Sequence, residues 1–104
     1  NYWDRCKCNS LDSGLDFSVF DWAVNSGSGR SAKALQKIVG AAADGAIGPA
    51  TLALVNNNSA ENLIEKMYHA RQAFYEGLST FDTFGRGWSR RNKETLEASL
   101  EMMD

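Results

Sequence analysis

The sequence predicts an all-α fold. Three observations carry this. No run of β-branched residues alternates with polar ones between turn signals. Apolar residues recur at three- and four-residue spacings along most of the chain. Clusters of Gly, Ser and Asn cut these periodic stretches into helix-sized pieces.

The opening "NYWDRCKC", Asn1 to Cys8, reads as the end of a helix that begins upstream of Asn1, and "NSLDSG" breaks it. Five helices follow. The first runs from about Ser13 to Ser26, with Ser13 as N-cap and Asp16 in capping-box position. Its apolar residues Leu15, Phe17, Val19, Phe20, Trp22, Ala23 and Val24 lie nearly all round, which predicts a central, buried helix. Its one polar stripe is Ser18, Asp21 and Asn25, which share a face. Gly27 and Gly29 in "NSGSGR" stop it. A second helix runs from about Arg30 to Val39, with Gln36 beside its apolar side and Gly40 as C′ residue.

The stretch "AADGAIGPATLALV" comes next. Asp44-Gly45 is a tight-turn pair, and Gly48-Pro49 starts a short helix reaching Asn56. Asp44 is suited to bonding backbone N–H groups within this loop, a structural task. The fourth helix runs from Ser59, its cap, to about Leu78. Its apolar stripe of Leu63, Ile64, Met67, Tyr68, Phe74, Tyr75 and Leu78 includes one charge, Arg71. "STFDTFGRG" reads as a turn. A last helix, about Arg86 to Met103, turns Trp88, Leu96, Leu100 and Met103 toward the core.

Bulk properties narrow the function. The chain has 104 residues and a net charge of -2, which suits one compact domain, residues 1–104. No apolar run approaches the roughly 20 residues of a membrane span, and no signal-peptide pattern opens the chain. The mild acidity argues against nucleic acid as a partner. The basic cluster "GRGWSRRNK" reads as a solvated helix end. A bond between Cys6 and Cys8 would close a small, strained ring, so two free thiols are expected. No zinc ligand set, P-loop or nucleophilic triad occurs; His69 stands alone on a polar helix side. No cofactor or metal is expected.

The informative residues are polar ones in apolar surroundings: Asp21, Asn25, Gln36 and Arg71. Left unpaired and buried, each would be costly. One reading is a structural network, with Arg71 paired to Asp21 or Asp44 and Asn25 holding the Gly27–Gly29 loop. The other is a polar groove for hydroxyl- and amide-rich ligands, with Tyr2, Trp3, Trp22 and Trp88 offering aromatic faces.

Four segments, "YWD", "FDWAVNSGSGRSAKALQKIVG", "DGAIGPATLALV" and "FGRGWSRR", occur in this order in one family. The chain resembles the C-terminal part of glycoside hydrolase family 108, the phage-type and bacterial N-acetylmuramidases also called secretion activator proteins. The resemblance implies a lysozyme-like helical bundle. It implies an N-terminal segment whose "EGG" glutamate is the catalytic acid, and a C-terminal peptidoglycan-binding region. The first glutamate here is Glu61, outside any such motif. The resemblance therefore implies a chain without the catalytic acid, binding the peptidoglycan glycan strand at the cell envelope or after secretion. Asp21, Asn25, Gln36, Asp44, Arg71, Trp88 and Arg90 are the candidate substrate-binding residues. The alternative is a non-catalytic helical module that docks on another protein of a secretion or phage lysis system. A third reading lets Asp21 replace the missing glutamate.

Overall fold

The computed structural model describes residues 11–78 and 81–103, so the readings on Asn1 to Cys8, including Tyr2, Trp3 and both cysteines, lie outside it. The described residues form five helices and no strand: α1 (Leu15–Ser26), α2 (Ser28–Val39), α3 (Pro49–Asn56), α4 (Ala60–Glu76) and α5 (Phe81–Glu101). Helix α1 packs against α2, α4 and α5, while α3 packs on α2. The core gathers Leu15, Val19, Trp22, Leu35, Val55, Leu63, Ile64 and Met67. No described helix is long and apolar enough to cross a membrane.

Helix α1 starts differently from the sequence reading. Gly14, not Ser13, is the N-cap, and no side chain caps it there. Asp16 instead turns back: its Oδ1 accepts from Gly14 N–H at 3.1 Å and Phe17 N–H at 2.6 Å. This satisfies donors that the first helical turn leaves orphaned. Gly14 is required for two reasons. Its φ is +92°, and a Cβ would lie 2.3 Å from the Ser99 carbonyl oxygen of α5. The start of α1 thus presses directly on the last helix.

Helix α1 is also less uniformly buried than its apolar pattern predicts. Val24 is 49% exposed, whereas the polar Ser18 and Asp21 are buried. Asp21 of the polar stripe faces inward, where α4 and α5 bring it Arg71, Arg91 and Thr95. Gly27 alone separates α1 from α2, with φ +104°; α2 begins at Ser28, ahead of the expected Arg30, and Gly29 lies within it. The buried Ser31 hydroxyl donates to the Val19 carbonyl at 2.8 Å and joins the two helices. At the other end of α2, Ala41 N–H donates to Gln36 O and Gly40 N–H to Lys37 O. This double bond pattern is the Schellman stop expected at Gly40.

Pro49 begins α3 and Ser59 caps α4, its Oγ accepting from Asn62 N–H at 3.1 Å, as their positions predict. Helix α5 departs from expectation. It starts at Phe81, so most of the supposed "STFDTFGRG" turn is helical. Glycine in a helix interior costs about 1 kcal/mol relative to alanine. At Gly85 that cost has a packing counterpart: a Cβ there would come within 2.7 Å of three Phe81 ring atoms.

Candidate functional site

The interior face of α1 ends in an ionic network. Asp21 Oδ2 accepts from Arg71 Nη1 at 2.9 Å, Arg91 Nε at 3.2 Å and Thr95 Oγ1 at 2.9 Å; Oδ1 accepts from Arg91 Nη2. Arg91 therefore grips the carboxylate with two nitrogens, a geometry suited to the planar guanidinium. The Asp21 and Arg71 side chains are 5% and 2% exposed; that of Arg91 is 60% exposed. Burial pushes the Asp21 pKa up, but hydrogen bonds from Arg91, Arg71 and Thr95 and the Arg71 charge together bring it below the ordinary value. Arg91 is shifted upward, chiefly by its hydrogen bond to Asp21.

Arg71 extends the network outward. Its Nε donates to Tyr75 Oη at 2.8 Å, and Tyr75 Oη donates to Asn25 Oδ1 at 2.6 Å. Asn25 is exposed and also accepts from Ser26 Oγ, so it serves Tyr75 rather than the glycine loop. The chain of bonds thus runs from a sealed carboxylate to the surface. Beside Tyr75 the aromatic rings continue. Trp88 lies 5.3 Å from Tyr75, and Phe84 lies 5.7 Å from Trp88 between ring centroids. Trp88 is half-buried and Phe84 is 54% exposed.

Gln36 belongs to a second, separate group. It is fully buried. Its Nε2 faces Asp44 Oδ1 at 3.0 Å, the Ala46 carbonyl at 3.0 Å and Thr51 Oγ1 at 3.2 Å, while its Oε1 accepts from Gly45 N–H at 2.9 Å. Two amide protons are shared among three acceptors. Asp44 Oδ1 also accepts from Ala46 N–H at 2.9 Å, closing the turn. That bond, followed by the one from Gln36, lowers the Asp44 pKa. The glycine-proline segment is therefore a corner clamped from beneath by one glutamine.

Of the seven candidate ligand residues, the structure brings Asp21, Asn25, Arg71 and Trp88 together around Tyr75. Gln36 and Asp44 sit at the α2–α3 corner. Arg90 is exposed, with no hydrogen bond or ion pair among the described residues. The cation that meets Asp21 is its neighbour Arg91. The sequence places Tyr75 only in an apolar stripe and Phe84 and Arg91 only in a motif, and it singles out none of them as a site residue. For Arg91 and Thr95 a signal existed: with Trp88 they fall at i, i+3 and i+7, one helix face. Phe84 is not legible as a helical neighbour of Trp88 because "STFDTFGRG" reads as a turn. His69 is exposed and lies edge-on to Tyr68, away from this network. No group of three metal-ligating side chains occurs among the described residues.

Comparison with known proteins supports the assignment of the fold. Residues 30–93 match a family described as a predicted peptidoglycan domain. The chain belongs to this family. Residues 1–27 match glycosyl hydrolase family 108, so the family pair named by the sequence motifs is present in order. A solved structure of Brucella abortus SagA superimposes with TM-score 0.96 at 40% sequence identity. The match covers 98% of this chain and 59% of that one. No curated protein gives a significant match. These similarities relate the chain to families described by peptidoglycan and by glycosyl hydrolysis, and the chain spans about three-fifths of the length of the SagA chain it matches.

Proposed function

We propose that this chain is the peptidoglycan-binding portion of a wall-lytic N-acetylmuramidase, and that it holds the glycan strand against the Trp88 face. The observation that supports this reading is the aromatic pair of half-buried Trp88 and exposed Phe84, backed by buried Tyr75 and bordered by exposed Asn25 and the solvent side of Arg91. Flat apolar faces flanked by amide and guanidinium donors suit a sugar ring, which has an apolar face and a hydroxyl rim.

The seven sequence candidates divide by position. Asn25, Trp88 and Arg90 are able to touch a ligand. Asp21 and Arg71 support the surface from beneath, keeping Arg91 and Tyr75 in place. Gln36 has no surface with which to meet a glycan and shapes the corner that carries Asp44.

The test is co-sedimentation with purified, insoluble peptidoglycan. The wild-type chain is expected to pellet with it. Trp88→Ala is expected to weaken binding by about tenfold or more, the scale of losing one buried aromatic anchor. No sedimentation of the wild-type chain would overturn the proposal and favour a protein-docking module.

A further inference from the structure

A concavity lies at the other end of the aromatic run. Trp22 is 6.2 Å from Phe74, and Phe74 is 5.8 Å from Tyr75, so the rings lead from the Trp88 face into the bundle. There a pocket of about 490 Å³ opens between α1, α2 and α4. Trp22, Phe74 and Ile38 supply apolar wall, and Arg30, Lys33 and Lys37 supply charge. The volume falls within the range of small-ligand sites.

Two features of the lining point to an anion. The three cations are exposed and form no ion pair among the described residues. They repeat at i, i+3 and i+7 on α2, so their charges converge along one side. Arg30 is held over the Phe74 ring, 4.2 Å from its centroid, which fixes its position over the apolar wall. Trp22 is 3% exposed, yet its indole N–H has no hydrogen-bond partner. A buried donor of this kind is costly unless something accepts from it.

We infer that this pocket binds the carboxylate-bearing stem peptide of peptidoglycan. The inference rests on the wall-binding reading above and adds a separate subsite to it. In the intact polymer the lactyl carboxyl of the muramic acid is consumed in the amide bond to the peptide. The acidic groups therefore reside on the stem, whose short aliphatic side chains match the Trp22, Phe74 and Ile38 wall. The glycan face and the peptide pocket then lie at opposite ends of one aromatic run.

The test uses the full chain, teichoic-acid-free peptidoglycan and a soluble stem tetrapeptide with free carboxylates. The charge-reversed variant Lys33→Glu/Lys37→Glu changes two exposed residues, and its thermal melt verifies folding. The tetrapeptide is expected to bind the wild-type chain, with affinity falling as salt rises. The variant is expected to lose that binding by about tenfold or more. If wild type sediments with peptidoglycan but tetrapeptide binding is undetectable, or is equal in the variant, the peptide pocket is refuted while the wall-binding reading stands. If wild type fails to sediment, both are refuted.

Discussion

Replacing Asp21 by Asn tests whether the buried network holds the bundle together. The substitution keeps the shape and removes the charge. Arg71 then remains a buried cation facing a neutral amide, and its side chain is only 2% exposed. One of its terminal nitrogens, Nη2, already lacks a partner. Breaking one side of a buried pair costs about 3–5 kcal/mol, because the remaining charge stays desolvated. Arg91 adds little: its side chain is 60% exposed and water replaces the lost carboxylate. The net expectation is a loss of about 3–5 kcal/mol, enough to lower Tm by roughly 12–30 °C in a domain of this size. Urea titration followed by circular dichroism measures the loss. The pH dependence gives an independent readout. The folded-state pKa of Asp21 lies below the unfolded one, so its contribution is complete above the unfolded value near 4 and vanishes as pH falls through the folded value. Wild-type stability should therefore decline on acidification more steeply than that of Asp21→Asn. A loss under about 1 kcal/mol with an unchanged acid limb would show that Arg71 is solvated or otherwise paired, and the reasoning would fail.

Three further substitutions probe the frame. Gly14→Ala places a methyl 2.3 Å from the Ser99 carbonyl at positive φ, and should cost about 3 kcal/mol or more in a urea titration. Gly40→Ala meets no neighbour within 4 Å and pays only for φ +84°, about 1–2 kcal/mol by the same titration, so the pair separates collision from backbone strain. Gln36→Leu removes every bond from the clamp and strands the Gly45 N–H, costing about 1–3 kcal/mol; amide exchange should speed up at Gly45 and Ala46 before the helices respond.

The helix pattern was legible wherever local chemistry decides it. Pro49, Ser59 and Gly40 each carry their own start or stop rule, and the structure places helix ends beside them. Local rules failed where a distant contact intervenes. Gly14 displaces Ser13 as cap where α5 presses on it, since a Cβ at Gly14 would meet the Ser99 carbonyl. Asp21 and Arg71 were recognisable as polar residues in apolar faces, with their pairing among the stated alternatives. Nothing local chooses between Asp21 and Asp44 as the partner: Arg71 and Asp21 are 50 positions apart, and only the packing of α4 on α1 joins them. Arg91 is not recognisable as a polar residue in an apolar face: it stands in the basic run "SRRNK" and its side chain is 60% exposed.

The same electrostatics bear on hydrolysis. A glycosidic acid must hold a proton near neutral pH, which takes a carboxyl whose pKa is raised. Asp21 has the burial for this but the opposite balance. Both its oxygens accept from guanidinium groups, and its pKa is lowered. At neutral pH it is an ionised anchor without a proton to give. It also has no second carboxylate in its hydrogen-bond network among the described residues; its partners are two arginines and a threonine. Asp21 is therefore not expected to serve as the acid, and folded Asp21→Asn should release as many reducing ends from purified peptidoglycan as the wild-type chain does. Turnover by the wild-type chain that disappears in Asp21→Asn and persists in Trp88→Ala would overturn this, since it would require Asp21 to shed both arginines and take up a proton when the glycan binds.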